Sequence, residues 1–560
     1  MSRYNLLDEP WIEVFSEKEG KQAEISLLEL FHHAQQYRCL AGEMETQNFA
    51  VMRFLLAIEQ TVFSRFDNDG EPYLDVNERM QPVCEAEDNE FDRDRLKNWI
   101  QLWHAGHFTE IVCQYLEKWR DHFYLYDETY PFYQVTHEEM KELTPAGKKP
   151  TEFYGRNLNR LISESGNKTA LFSPAEDNQK DFMRPCELAR WLIMLQGYIG
   201  LSDKTSIAQG KQKPSKGWLF DLGGLYLKGS NLFETLVLNY IPVHPEKNHP
   251  EFNFKTQRPC WESSGRENIE RLKSGKLIDN LAELYTNWSR AIYINPDARD
   301  SDPAVLSIVK LPAIEHMDNF LEPMTVWNNN QTGEFKGHYT PRKHRPDQSL
   351  WRSFGLIALN SSDVSMQKKP GIMSWLDHDK VRTNLGNSWI DIQAVSMRDD
   401  GNATSWVPVD EIVDELTAND LVISETSDNG WVVRINDTVE ITKQVAWIYH
   451  GFLKDIVDIR GQDPAKEGKV FLDSETEKLY QNLNEPFRTW LAGIQPEDGK
   501  NEKVSEWYGI LKKLAFRQAD SIMDQAAVRD FIGIKKDDHI FNIVGAYQKF
   551  RNIILQKLGK

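Results

Sequence analysis

At 560 residues, with 40% hydrophobic and 27% charged side chains, the chain has the balance of a globular protein and exceeds one ordinary core, so two or more domains are expected. A net charge of −19 argues against a free-standing nucleic-acid binder, but leaves room for a chain that reads a short stretch while partners hold most of the phosphates. Five scattered cysteines without C-x-x-C spacing argue against a disulfide framework or cysteine-rich zinc site, and the absence of an apolar h-region or of a run near the roughly 18 residues of a membrane span points to the cytoplasm.

Trp11-Ile-Glu-Val-Phe15 alternates as a half-buried strand does, and Glu17 to Gly20 makes a polar turn. From Gln47 to Phe66 the positions Phe49, Met52, Leu55, Leu56, Ile58 and Val62 recur at helical spacing. The acidic stretch Cys84 to Asp94 reads as an exposed loop or helix start, residues 95–126 as helical, and Tyr130-Pro-Phe-Tyr-Gln134 closes that stretch. Between Lys141 and Gly217, helix-like patches at 157–164 and 184–198 alternate with long polar loops. Segments 288–312 and 388–434 are rich in β-branched and aromatic residues with turn signals between them, which predicts short strands.

After about residue 436 the texture becomes helical. Val445, Ile448, Tyr449, Phe452, Ile456 and Ile459 make one amphipathic face. Ser474-x-x-Glu477 has the pattern of a capping box opening a second helix towards Gly493, which Pro486 is expected to kink or split. Val504, Trp507, Leu511, Leu514 and Phe516 mark a third helix, and Phe541, Val544, Tyr547 and Ile554 a fourth. The expected fold class is α+β, a large mixed N-terminal domain over 1–435 followed by a C-terminal four-helix bundle over 436–560.

Catalytic patterns are weak. Ser165-Gly-Asn-Lys168 matches S-x-x-K without its K-T-G or S-D-N companions. His104 and His107 lack further ligands, Pro296-Asp297 lacks the rest of a nuclease motif, and Asp399-Asp400 beside Gly401-Asn402 reads as a turn. There is no Walker A loop, G-x-G-x-x-G or H-E-x-x-H, so no catalytic residue, metal or cofactor is expected. Two basic, loop-like segments stand out instead: 203–217, with Lys204, Lys211, Lys213 and Lys216 against one acid, and Lys336 to Arg345. Such segments can follow a phosphate chain, or be solvated loops with no ligand.

The order of several segments carries a resemblance. Tyr4-Asn-Leu-Leu-Asp-Glu-Pro-Trp-Ile12 resembles the N-L-L-x-x-x-W-I opening of the CasA family, the large (A) subunit of type I-E CRISPR Cascade complexes. Tyr130 to Gln134 is similar to its H-P-F-M-Q-like segment, and Ser165 to Phe172 to the stretch leading into a mobile loop. Leu232 to Asn239, Leu284 to Arg290 and Glu322 to Trp327 follow in family order. The resemblance implies a non-catalytic subunit that reads the protospacer-adjacent motif (PAM) of target double-stranded DNA from the minor groove, helps open the duplex and recruits the Cas helicase-nuclease. Its implied partners are crRNA, target DNA, the small-subunit dimer, the backbone subunits and the subunit capping the guide 5′ end.

Residue by residue, the resemblance puts Phe172, Ser173 and Pro174 where the family's first loop meets the guide and a neighbouring subunit, core packing of Phe172 being the alternative. Gly200, Leu201, Ser202 and Lys204 fall on the family's glycine-rich minor-groove loop. Only one glycine remains there, so either Ser202 and Lys204 read through side chains or the register is displaced. Gly401, Asn402 and Ala403 fall on a wedge, usually tipped by Gln, that unstacks the pair beyond the PAM; an ordinary hairpin turn is the alternative. The lysine finger has no clear match, and Arg299 is its candidate. An unrelated scaffold, which the acidic surface and helical bundle suit equally, and a hydrolase with an unrecognised site are the competing functions.

Overall fold

The computed structural model describes residues 4–84, 88–162, 175–208, 212–297, 302–359, 367–402, 408–536 and 539–559. The chain divides into two compact units: Met1–His344 with Asp363–Asn384 and Ile392–Asp414, and Arg345–Ser362 with Leu385–Asp391 and Glu415–Lys560. The architecture is mixed α and β with a C-terminal helical region.

The first unit opens with strands β1 (Ile12–Ser16), β2 (Lys21–Ile25) and β3 (Tyr37–Leu40), joined in the order β2-β1-β3. The alternation read from Trp11 onwards is visible in β1, where Ile12, Val14 and Ser16 are buried. Helix α1 (Glu45–Phe63) is buried on almost every side, the signature of a helix inside a core rather than on its surface. Its polar side chains therefore need partners. The guanidinium of Arg53 donates to both carboxylate oxygens of Glu322 at 2.8 and 2.7 Å, with both side chains sealed from water.

Further along lie β4 (Thr151–Tyr154), α2 (Pro185–Tyr198), β5 (Gly223–Lys228), β6 (Arg290–Ile294), β7 (Val305–Lys310), β8 (Trp389–Asp399) and β9 (Pro408–Asn419). Pro185 sits in the first turn of α2, where its missing N–H is harmless. Arg190 of α2 donates to Glu24 at 3.2 Å, Glu43 at 2.8 Å and the Trp11 carbonyl at 2.8 Å, tying this helix to the first sheet. Strands β4, β7 and β6 form an antiparallel sheet in that order, with Thr151 opposite Ile308 and Arg290 opposite Lys310. A further sheet has the order β9-β8-β5.

In the second unit four long helices, α3 (Trp431–Ile459), α4 (Lys469–Ala492), α5 (Lys500–Asp524) and α6 (Ile543–Leu558), form the bundle, with α3 packed on the other three. Val445, Tyr449, Phe452 and Ile456 are all buried, as their spacing predicts. Trp507 packs edge-on against Phe487 at 5.0 Å and donates its indole N–H to Thr442 at 2.9 Å.

Two local expectations fail and a third is narrowed. Within the described part of the patch at 157–164, residues 157–162, the helix is one turn, Gly155–Leu158, because Asn159 turns extended. Helix α4 starts at Lys469, so Ser474 is an interior residue whose hydroxyl bonds back to the Phe471 carbonyl rather than capping. Of the two outcomes expected at Pro486, the split does not occur: α4 is one helix through it, with a buried face running through Leu479, Leu483, Phe487 and Trp490. That continuous apolar packing outweighs the one ladder bond a proline removes. Among the described residues no helix is long and apolar enough to cross a membrane.

Candidate nucleic-acid interface

The cross-strand pair Arg290 and Lys310 explains how the segment after α2 folds. Residues directly opposite in an antiparallel pair share one face, and two cations so placed repel unless something anionic covers them. The cover is the segment Gly200–Thr205. Arg290 donates to Asp203 at 3.0 and 2.8 Å, to the Gly200 carbonyl at 2.6 Å and to the Ser215 carbonyl at 2.7 Å. Lys310 donates to the Leu201 carbonyl at 3.1 Å. Both Arg290 and Asp203 are fully buried, and burial pulls the Arg290 pKa below its ordinary value despite the carboxylate beside it.

One guanidinium thus holds the first residues of the loop and its return at Ser215. Backbone bonds complete the frame: Ile207 N–H to Lys310 O at 3.0 Å, Lys310 N–H to Thr205 O at 2.9 Å, Ser215 N–H to Leu311 O at 2.9 Å and Gly217 N–H to Ile199 O at 2.9 Å. A Cβ on Gly217 would lie 2.2 Å from the Gly197 carbonyl, so the return leg requires glycine. The Lys204 N–H and the Thr205 hydroxyl bond to Thr151 Oγ1 at 3.1 Å and Lys149 O at 2.6 Å. In this frame Gly200 is buried with its carbonyl turned inward, Leu201 is half-buried, and Ser202 and Lys204 are exposed.

The tip that β8 runs into, described as far as Asn402, is shaped by paired aspartate turns. Asp399 accepts the Gly401 N–H at 2.9 Å, Asp400 accepts the Asn402 N–H at 3.1 Å, and Gly401 has φ of 69°, a conformation glycine adopts without strain. Gly401 and Asn402 are exposed. Asp399 and Asp400 are turn-formers, as their context predicts.

A chain of alternating charges joins this tip to the pinned loop. Lys216, at the loop's return, pairs with Asp221; Lys343 lies 3.9 Å from Asp221 and 3.0 Å from Asp399. Both ammonium groups sit over the Phe220 ring, at 5.2 and 4.4 Å from its centre. Burial would raise the Asp399 pKa, but the Lys343 ammonium and the Gly401 N–H hold it below the ordinary carboxylate range.

The second basic segment is not the open loop its composition suggests. Tyr339–Pro341 is a strand paired with Trp327–Asn329, the Arg342 carbonyl lies 2.1 Å from where a Cβ on Gly223 would stand, and half-buried His344 contacts the Gly224 carbonyl at 2.9 Å. Its Lys343 is committed to the charge chain, and Lys213 of the first segment to Glu334 at 2.7 Å. The structure therefore brings together Gly200, Leu201, Ser202 and Lys204 in one loop and links that loop to Gly401 and Asn402. Phe172, Ser173, Pro174, Arg299 and Ala403, with Ser165 and Lys168, lie outside the described residues. His104 contacts Asn384 at 2.7 Å and His107 the Phe108 carbonyl at 3.0 Å, so each has its own partner. Among the described residues there is no group of three or more metal-ligating side chains. Sequence reasoning missed Arg290 and its partner Asp203, which lie 87 residues apart and carry no local pattern.

Residues 5–518 match the family model of the CRISPR-associated protein Cse1. A curated relative, CRISPR-associated protein CasA/Cse1 of Thermus thermophilus, is 24% identical over 366 residues, an alignment spanning 64% of this chain and 60% of that relative. The crystal structure of Thermobifida fusca Cse1 is similar with a TM-score of 0.76 at 22% identity, covering 99% of this chain and 98% of that one. A chain of a CRISPR RNA-guided surveillance complex is similar with a TM-score of 0.68 at 14% identity, covering 99% of each. The structural likenesses carry the fold, a mixed α and β body with a C-terminal helical region.

Proposed function

The chain belongs to the Cse1 family of CRISPR-associated proteins, and from this we propose that it is the non-catalytic large subunit of a crRNA-guided type I-E Cascade complex, acting in the cytoplasm. In this role it reads the PAM in target double-stranded DNA, starts strand separation and recruits the helicase-nuclease. Guide pairing supplies most of the sequence information, and the protein's share is a short duplex motif and the first opened step. The observation that carries the reading is the joining of two exposed tips, Ser202 with Lys204 and Gly401 with Asn402, through the chain Lys216–Asp221–Lys343–Asp399.

The two tips suit different tasks. Lys204 projects a cation from a fixed backbone, the chemistry for minor-groove acceptors or adjacent phosphates. Gly200, with its carbonyl on Arg290, is not a backbone reader in this arrangement, so the reading falls to Ser202 and Lys204. Asn402 offers a planar amide at the end of a hairpin, able to replace part of the stacking that a base pair gives up when its step opens. Phe172, Ser173 and Pro174 keep the guide contact, and Arg299 the role of lysine-finger equivalent, on the family resemblance alone. The acidic chain is expected to bind duplex weakly by itself, with crRNA and the other subunits supplying the basic channel.

The test is a strand-opening assay with the reconstituted complex on linear, negatively supercoiled and pre-mismatched targets. Lys204→Ala should weaken PAM engagement by roughly 1–3 kcal/mol if it contacts a base edge. Asn402→Ala should leave capture of a short PAM duplex intact and slow opening of linear DNA, with rescue by supercoiling or mismatch. Wild-type opening of linear duplex by Asn402→Ala would make that residue a plain turn.

A further inference from the structure

Two lysine turns flank the pinned loop on the first unit's surface. One is Pro145–Pro150, which carries Lys148 and Lys149 after Gly147, whose φ of 76° sets the turn. It is fastened to the loop by the Thr205 hydroxyl, which donates to the Lys149 carbonyl at 2.6 Å. The other, Lys273-Ser-Gly-Lys276, ends the helix Gly265–Lys273 and turns at Gly275, φ 69°. It is fastened by the Gln212 amide, which donates to the Lys273 carbonyl at 3.2 Å. Lys204 stands next to Thr205, the anchor of the first turn.

All five lysines are exposed, and none is held by an ion pair among the described residues. They differ in this from cations nearby in the fold, which are committed: Lys213 to Glu334, Lys216 to Asp221, Lys343 to Asp399. The one acid of the intervening loop, Asp203, is turned inward onto Arg290. The anchors run through carbonyls and uncharged side chains, so they fix the turns while leaving the ammonium groups to solvent. Unpaired like charges on fixed backbone are neutralised by the phosphates of a polyanion, which also gains entropy by releasing its condensed counterions.

We propose that Lys148, Lys149, Lys273 and Lys276 form a phosphate track, beside the reader Lys204, for the arm of target duplex DNA that continues beyond the recognised motif. It holds the arm without regard to its sequence while the two tips do the reading. The inference rests on the DNA-reading function proposed above and adds to it a ligand contact that reads no base.

The experiment uses the reconstituted complex carrying K148Q/K149Q/K273Q/K276Q, which leaves Lys204 in place. Binding is measured against salt on targets that either extend as duplex beyond the motif or end at it, each with a randomised motif. On extended targets the slope of log affinity against log salt should fall by roughly 3–4, as removal of four phosphate contacts requires. The ranking of motif sequences should be unchanged, and on targets that end at the motif the variant should match wild type. An unchanged slope on extended targets overturns the track, as does an equal weakening on both targets. Loss of crRNA from the purified variant complex overturns it too, because the lysines would then hold the guide. Failure of the underlying function reads differently: the wild-type complex itself would show no motif preference.

Discussion

Replacing Asp203 with Ala should unpin the loop while leaving the fold of the first unit in place. The change removes two charge-assisted hydrogen bonds and leaves the Arg290 guanidinium buried with only carbonyl partners, beside Lys310 on the same face. Breaking a buried pair by deleting one partner costs about 3–5 kcal/mol. The chain has two units, so a single global unfolding energy is a poor readout, and hydrogen exchange of the loop's own amides is the proper one. At about 1.4 kcal/mol per tenfold, the Ile207, Ser215 and Gly217 amides should lose protection by roughly a hundred- to a few thousand-fold. Amides inside α1 should keep theirs. Asp203→Asn, which keeps one acceptor, should lose less, and Lys204→Ala, on the exposed side of the same loop, should change protection by a few-fold at most. Wild-type exchange in Asp203→Ala would refute the argument, because the pair would then contribute nothing to holding the loop.

Glu59 of α1 is fully buried and neither carboxylate oxygen has a hydrogen-bond partner among the described residues, so desolvation pushes its pKa well above the ordinary value. Its contribution to stability is complete below the unfolded pKa of about 4.3 and is lost as pH rises towards the folded value. Melting temperatures of Glu59→Gln against wild type should therefore diverge in the variant's favour between acidic and neutral pH, and a difference that stays constant with pH would exclude a titrating Glu59. Lys343→Met cuts the charge chain between loop and hairpin tip. Its effect on strand opening should be non-additive with Asn402→Ala by roughly 0.5–1.5 kcal/mol, and strict additivity in that double-mutant cycle would mean the tips act independently.

What the sequence disclosed follows from which forces are local. The strand at Ile12–Ser16 and the face formed by Val445, Tyr449, Phe452 and Ile456 were legible because burial on one side writes a period into the chain. Helix α1 was legible in its apolar positions but not in Arg53 and Glu59, since periodicity is silent about polar groups sealed inside a core. Ser474 misled for the complementary reason: a capping pattern is a local preference, and packing of α4 from Lys469 onwards overrode it. At the candidate site, lysine-rich composition marked the two basic segments but could not separate Lys204, which faces solvent, from Lys216 and Lys343, which pair with Asp221 and Asp399. That sorting depends on partners far away in the chain. The turns at Lys148–Lys149 and Lys273–Lys276 offered a faint signal, lysines beside turn glycine, with nothing to say that they lie beside the same loop.

The buried Arg290–Asp203 pair is a costly way to hold a loop, since well-packed apolar side chains of similar volume often stabilise as much without desolvating two charges. An apolar anchor, though, would fix a single point. The guanidinium is a rigid fork, and here it reaches a carboxylate and the carbonyls of Gly200 and Ser215 together, setting both ends of the loop by a single group. A loop so fixed gives up little further backbone entropy when it meets a ligand, so more of each lysine–phosphate or lysine–base interaction is left as affinity. In a chain with net charge −19 this matters, because 85 acids outnumber 66 bases and the long-range field disfavours approach to DNA. On the function proposed above, fixing the backbone under Lys204 would let a small number of interactions suffice once partner subunits bring the duplex close.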